Sequence, residues 1–194
     1  MIANLNKYLN FYWRSKLAII GIIGKKGTGK TECSRVLIEK YKFEKISFGD
    51  KLKEAVSLIW DIPLSNFHDP KFKEQVDPRW GKTYREFMQL FGTEVCRTLH
   101  WDTWIYHVEK EFRSKPNVDF VIDDVRFKNE AGLIKKYDGT LIKVVRPILA
   151  VSHDFGHASE SEQDQIQPDI IIMNDSTKED LQKKVEEVLS CCLL

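Results

Sequence analysis

Residues 24 to 31 read Gly-Lys-Lys-Gly-Thr-Gly-Lys-Thr. Gly24, Gly27 and Gly29 lack a Cβ, so a backbone built from them can curl and turn its N–H groups onto anionic oxygens. Lys30 is placed to reach the β- and γ-phosphates of a nucleoside triphosphate, and the Thr31 hydroxyl can ligate Mg²⁺. Gly24, Lys26, Gly27, Thr28, Gly29, Lys30 and Thr31 are therefore the expected triphosphate cradle. Lys7, Arg14, Lys16, Lys25, Lys26 and Lys30 all precede the first acidic residue, Glu32.

Asp124 follows an apolar run, where an open parallel sheet places its ligands; an acid there can hold Mg²⁺ or its waters, or cap the next helix. Asp123 can share that work. Arg126 can face a transferring phosphoryl group or make a surface ion pair. Asn129 and Glu130 follow on the first helical turn. Between Pro147 and Thr177 there is no Lys or Arg, while Asp154, Glu160, Glu162 and Asp164 are present. Positive charge must then come from Lys30, Mg²⁺, Arg126 and a residue such as Arg85 or Arg146. His153 and His157 have no Cys or third His nearby and read as loop polar residues. Arg85, Gln89, Thr93 and Arg97 offer hydrogen-bonding groups on a helix that is otherwise apolar. They suit a nucleotide phosphate and base edge, although spacing alone favours a solvated face. Trp101, Asp102 and Trp104 can stack a base or pack in a core.

The elements that must carry these groups follow from periodicity. Leu17–Ile23 is a β-branched buried strand, and residues 32–41 form a helix after the glycine loop. A second strand is expected over 43–48 and a helix over 51–60. Residues 61–81, with Pro63, Pro70 and Pro78, read as an irregular excursion. The longest helix is expected over 83–99, with Phe87, Met88, Phe91 and Val95 on one apolar face. A helix over 103–112, a strand over 118–122, a helix over 127–137 and a strand over 140–145 follow. Residues 146–168 read as a lid loop and 169–173 as the last strand. A capping box at Ser176-Thr177-Lys178-Glu179 opens the final helix. Alternating strands and helices imply a mostly parallel five-stranded sheet covered on both faces, an α/β three-layer sandwich. The expected division is an extension at 1–16, whose Tyr8, Phe11, Tyr12 and Trp13 are expected to pack on the domain. A single domain follows over 17–194, with a helical part at about 50–114.

With 194 residues, 42% of them hydrophobic, the chain can bury a full core. A formal net charge of +1 argues against a coat for nucleic acid or an acidic membrane. No run of about 18 apolar residues offers a bilayer span. Met1–Lys16 has no small-residue cleavage site and leads straight into a strand, so it does not read as a signal peptide. Cys33, Cys96, Cys191 and Cys192 have no zinc spacing and suggest a reducing, cytoplasmic compartment. Cys191-Cys192-Leu193-Leu194 formally fits a prenylation signal, but with no polybasic stretch beside it the apolar end of a helix is the better reading.

Taken in order, the chain resembles the deoxynucleoside monophosphate kinases of bacteriophages and large DNA viruses, over about residues 17 to 190. Gly24–Thr31 is the P-loop. Phe48-Gly49-Asp50-Lys51-Leu52-Lys53-Glu54 is similar to that family's F-[AG]-D-x-L-K-E segment. Arg85, Gln89, Gly92-Thr93-Glu94 and Arg97 resemble its R-x-x-x-Q-x-x-G-T-E-x-x-R helix, and Asp102-Thr103-Trp104 its D-x-W. Asp124-Val125-Arg126-Phe127-Lys128-Asn129-Glu130 resembles D-V-R-F-x-N-E. Arg146-Pro147, His157-Ala158-Ser159-Glu160 and Asn174-Asp175-Ser176-Thr177 resemble R-P, H-x-S-E and N-D-[GS]-T. Tyr84, Lys128 and Ser176 depart from residues common in the family. The resemblance implies a nucleoside monophosphate kinase-like fold and transfer of the γ-phosphoryl of ATP, with Mg²⁺, to a deoxynucleoside 5′-monophosphate. It implies Lys30, Arg126 and Arg146 as catalytic cations, Asn174 beside the adenine, and Thr31 and Asp124 on the metal. Phe48, Lys53, Arg85, Gln89, Thr93, Asp102, Trp104, Arg126 and Asn129 become the acceptor side. A homodimer, possible in such kinases, would be in the host cytoplasm if the protein is viral. The alternatives are another small-molecule P-loop kinase, such as dephospho-coenzyme A kinase, and a non-catalytic nucleotide-binding regulator.

Overall fold

The computed structural model describes residues 18–147 and 162–192. The expectations for residues 1–16, for His153 and His157, for the 157–160 motif and for the side chains of Cys191-Cys192-Leu193-Leu194 lie outside the described residues. By contacts the chain divides into two units, one made of the residues up to Ile46 and from Phe112 onward, the other of Ser47–Glu111.

The first unit is built on β1, Ile19–Ile23, whose five residues are all buried. The glycine loop follows, then α1, Lys30–Tyr41, and β2, Glu44–Lys45. Farther on come β5, Phe120–Ile122, the helix Lys128–Lys136, called α6 here, β6, Thr140–Val145, β7, Ile170–Met173, and the last helix, α7, Lys178–Cys192. The strands lie in the order β2-β5-β1-β6-β7, every neighbouring pair parallel. Ile20 and Ile22 point to one face, where Val36 and Leu37 of α1 and Leu181, Val185 and Leu189 of α7 close the core. Gly21 points to the other. A Cβ there would lie 2.4 Å from Ile134 Cδ1 of α6 and 2.9 Å from Leu141 Cδ2, so the ends of these side chains occupy the space that the glycine leaves. The sheet is thus covered on both faces, as the alternating pattern predicts.

The second unit contains α2, Asp50–Trp60, a 3-10 turn at Leu64–His68, and the short α3, Pro70–Lys73. A hairpin of β3, Val76–Asp77, and β4, Lys82–Thr83, follows. Then come α4, Tyr84–Gln89, a π-helical stretch, Leu90–Arg97, and α5, Thr103–Ser114, within which the boundary between units falls. Val56, Ile62 and Phe67 are its buried centre, ringed by Leu52, Trp60, Phe72, Tyr84, Phe87, Met88 and Phe91. Trp60 meets Phe87 edge-on at 4.3 Å, and Phe72 stacks on Tyr84 at 4.2 Å.

Four local expectations need correction. The strand over 43–48 pairs only at Glu44–Lys45, because the chain leaves the sheet after Ile46, whose N–H still bonds the Val121 carbonyl. The excursion over 61–81 holds a helical turn, a short helix and half of a hairpin. The helix over 83–99 starts with a true capping box at Thr83 and Glu86 but widens to π after Gln89. The extra residue per turn rotates the following face, and Val95 is 47% exposed instead of joining the apolar stripe. Finally, α7 is capped one residue later than expected. The Asp180 N–H donates to Thr177 Oγ1, and the Ser176 hydroxyl donates to the Asp180 carboxylate.

Candidate active site

Four parallel strands end at one edge of the sheet, and each is followed at once by chemistry-bearing residues. Gly24–Thr31 follows β1, Asp123–Arg126 follows β5, Arg146 follows β6 and Asn174 follows β7. This is the carboxyl edge at which open α/β sheets hold ligands.

Gly24, Gly27 and Gly29 have φ of 156°, 82° and 107°, so the loop uses backbone that other residues rarely adopt. A Cβ on Gly24 would sit 2.7 Å from the Val144 carbonyl. Lys30 Nζ folds back to donate to the Gly24 and Lys25 carbonyls. Thr28 is buried and its hydroxyl donates to the Lys25 carbonyl at 2.9 Å. Lys26 and Thr31 are exposed. Asn174 Nδ2 donates to the Thr28 carbonyl at 2.8 Å and lies against the open side of Gly29. A cavity of about 240 Å³ opens there, lined among others by Gly27, Gly29, Glu32, Arg146, Asn174 and Lys178. Arg146 is therefore on the Asn174 side of the loop.

Asp123 is 8% exposed, and its Oδ2 accepts from the Ser34 hydroxyl at 2.9 Å and from Lys45 Nζ at 2.7 Å. Ser34 also donates to the Thr31 carbonyl, so Asp123 is tied to the first turns of α1. Asp124 is half-buried beside it. The Thr31 hydroxyl and these carboxylates are hard oxygen donors of the kind Mg²⁺ takes, completing its shell with phosphates and water. No group of three or more His, Cys, Asp or Glu side chains forms a metal cage among the described residues. Glu130 is 2% exposed, and its Oε2 accepts from the Arg126 N–H at 2.7 Å and the Phe127 N–H at 3.1 Å. Asp164 lies 3.4 Å from Lys25 Nζ and 3.7 Å from Lys143 Nζ, and so offsets two cations of this region. Cys33 is buried against the core, and its thiol is pushed up to about 12 by burial and by Glu32, which leaves it unreactive.

The acceptor-side expectations all fall in the second unit apart from Arg126 and Asn129. Phe48 is 2% exposed. Lys53 Nζ is 2.9 Å from Asp50. Arg85 Nε donates to Glu74 Oε1 at 2.8 Å. Gln89, Thr93 and Asp102 are half-buried. Trp104 is 8% exposed, and its indole N–H donates to the Gly92 carbonyl at 3.0 Å. Arg97 is 5% exposed, donates to the Trp101 carbonyl and lies 5.4 Å over that indole, which is itself 47% exposed. Reading residues by type singled out the glycine loop but passed over Ser34, Lys45 and Gln163. Glu130 lay inside a quoted motif, and as the third residue of α6 it takes the helix-start backbone N–H groups as a capping carboxylate does.

Comparison with known proteins places the chain in a family. A sequence model of the deoxynucleotide monophosphate kinase family matches residues 71–185. A protein of Acanthamoeba polyphaga mimivirus named for the same activity is 34% identical over 190 residues, covering 90% of this chain and 96% of that protein. The fold is similar to that of shikimate kinase from Bacteroides thetaiotaomicron (15% identity, 91% of this chain and 99% of that one, TM-score 0.52). It is also similar to that of shikimate kinase from Aquifex aeolicus (14% identity, 90% and 97%, TM-score 0.50). At these identities the two structures speak for a P-loop kinase fold alone. The family match and the mimivirus relative speak for more: this chain belongs to the deoxynucleotide monophosphate kinase family.

Proposed function

We propose that the protein transfers the γ-phosphoryl group of ATP to a deoxynucleoside 5′-monophosphate. The observation that carries the ATP half of this reading is the glycine loop at the end of β1, with glycines at positive φ and Lys30 folded onto its carbonyls, and the family match supports the acceptor. Triphosphate oxygens can take over Lys30 from those carbonyls, while the loop N–H groups and the start of α1 take the remaining charge. Asn174 and Arg146, which line the cavity beside Gly29, are on the side suited to the base and sugar of ATP. Thr31, Asp124 and Asp123 would hold Mg²⁺, which offsets phosphate charge when bound.

An oxygen of the acceptor phosphate bonds to the γ-phosphorus as the bond from that phosphorus to the β,γ-bridging oxygen breaks. ADP leaves and the deoxynucleoside diphosphate forms. The nucleophile is already anionic, so no general base is needed. Arg126 neutralises charge on the group in flight. The residues that the family resemblance assigns to the acceptor are Arg85, Gln89 and Thr93, with Lys53, Phe48, Asp102, Trp104 and Asn129 supporting them.

ADP release is to be measured with a panel of deoxynucleoside monophosphates, ribonucleoside monophosphates and dephospho-coenzyme A. Turnover should be confined to nucleoside monophosphates, with deoxy forms preferred; activity on dephospho-coenzyme A alone would replace this reading. Lys30→Ala should abolish transfer, and near-normal turnover by that variant would remove the mechanism.

A further inference from the structure

Four consecutive side chains before β7 each bond to a distant part of the chain, three of them to the segment that follows β5. Glu162 Oε1 accepts from the Lys128 N–H at 2.8 Å, and Gln165 Oε1 accepts from Lys128 Nζ at 2.6 Å. Asp164 pairs with Lys25 and Lys143. Gln163 is the buried member, 4% exposed, and its Nε2 donates to the Val125 carbonyl at 2.8 Å.

That last bond acts on a particular peptide group. The Val125 carbonyl and the Arg126 N–H are the two polar edges of one planar unit. Gln163 holds the first edge and Glu130 Oε2 holds the second at 2.7 Å. The Val125 side chain is itself fully buried. A rigid plane held at both edges cannot turn without breaking a buried hydrogen bond, and a buried carbonyl or carboxylate left unpaired costs about 1–3 kcal/mol or more. The next bond along the chain leads to the Arg126 Cα. An apolar side chain at 163 could fill the same space; it could not fix the plane.

We propose that Gln163 is a positioning residue for phosphoryl transfer: with Glu130 it clamps the Val125–Arg126 peptide plane and thereby aims the Arg126 guanidinium. This rests on the role given above to Arg126. Misaiming a charge-neutralising group by about 1 Å can cost up to about 100-fold in rate.

Two measurements on the full-length protein test it. Gln163→Met keeps the length of the side chain and removes the donor. It should lower kcat about 10- to 100-fold while leaving KM for ATP within about twofold. In an Arg126→Ala background the same change should have almost no further effect, because Gln163 acts through Arg126. Equal, additive losses in both backgrounds would overturn the proposal. The second measurement does not depend on the substrate. Hydrogen exchange at the Arg126 amide should be slow in the wild type and much faster in Gln163→Met; unchanged protection would overturn the clamp even if transfer is confirmed. Conversely, fast exchange in the variant with no kinase activity in the wild type would keep the clamp and reject the proposed reaction. Should Gln163→Met fail to fold, Glu130→Gln, which weakens the other edge, decides by the same double-mutant cycle.

Discussion

Arg85 shows how a single residue can be legible in chemistry and illegible in partner. Its type and its spacing from Gln89 and Thr93 suggest a phosphate contact, but only the fold reveals Glu74 at 2.8 Å as its present companion. A guanidinium carries five N–H donors, so pairing with one carboxylate is compatible with recruiting a phosphate. A charge-assisted hydrogen bond to a bound phosphate contributes about 1.5–3 kcal/mol. Arg85→Ala should therefore raise the acceptor KM about 10- to 100-fold and leave KM for ATP unchanged. Steady-state kinetics with each substrate varied in turn will show the split; an unmoved acceptor KM would take Arg85 out of the site. Asp123, Glu130 and Gln163 illustrate the opposite case. Their work is defined by Ser34, by the Arg126 amide and by the Val125 carbonyl, and two of these partnerships span 89 and 38 residues. No local pattern announces those two, whereas Glu130 takes an amide only four residues back at the start of its own helix.

Elements whose cause is local were readable in advance. β1 is an isoleucine run broken only by Gly21, the loop after it is defined by glycine, and α1 repeats at helical spacing. The Leu90–Arg97 stretch was not readable, because its cause is tertiary. A Cβ on Gly92 would come within 2.7 Å of Leu52 Cδ2, so α2 approaches the backbone there. The Gly92 carbonyl is taken by the Trp104 indole of α5. These two contacts bear on a widened turn that a 3.6-residue pattern cannot distinguish from ordinary helix; Gln89 directly precedes it and Thr93 lies within it. Trp104→Phe keeps an aromatic side chain but removes the donor and part of the buried ring volume. It should cost about 1–3 kcal/mol, visible as a thermal midpoint lower by about 2–10 °C, and should raise the acceptor KM as the turn relaxes. A variant that melts and binds like the wild type would show that the π-turn holds without the indole.

At the scale of the whole molecule, several carboxylates hold separate parts of the chain in their ionised form, which makes stability depend on pH in a defined direction. Hydrogen bonding from Arg35, then from Gln182 and Lys178, holds Glu32 at about 2, against an ordinary 4.5, and so ties α1 to α7. Asp77 is 2% exposed, and hydrogen bonds from Arg79, with Tyr84 also donating, hold it well below the carboxylate range, which anchors the β3–β4 hairpin in the second unit. Burial pushes Asp169 up, but the Leu141 N–H and Lys135 outweigh it and leave it lowered at the start of β7. Each of these groups binds its proton less readily folded than unfolded. The unfolded chain therefore takes up protons first as acid is added, and the stabilisation present above about pH 5 is lost progressively toward pH 2. For Glu32 the loss should amount to about 1–2 kcal/mol after allowance for solvent screening. Glu32→Gln should lower the thermal midpoint by a few degrees at pH 7, and the two proteins should converge as the pH approaches 2.5. A gap between wild type and variant that stays constant from pH 7 to pH 2.5 would show that the Glu32 charge does not link the two helices.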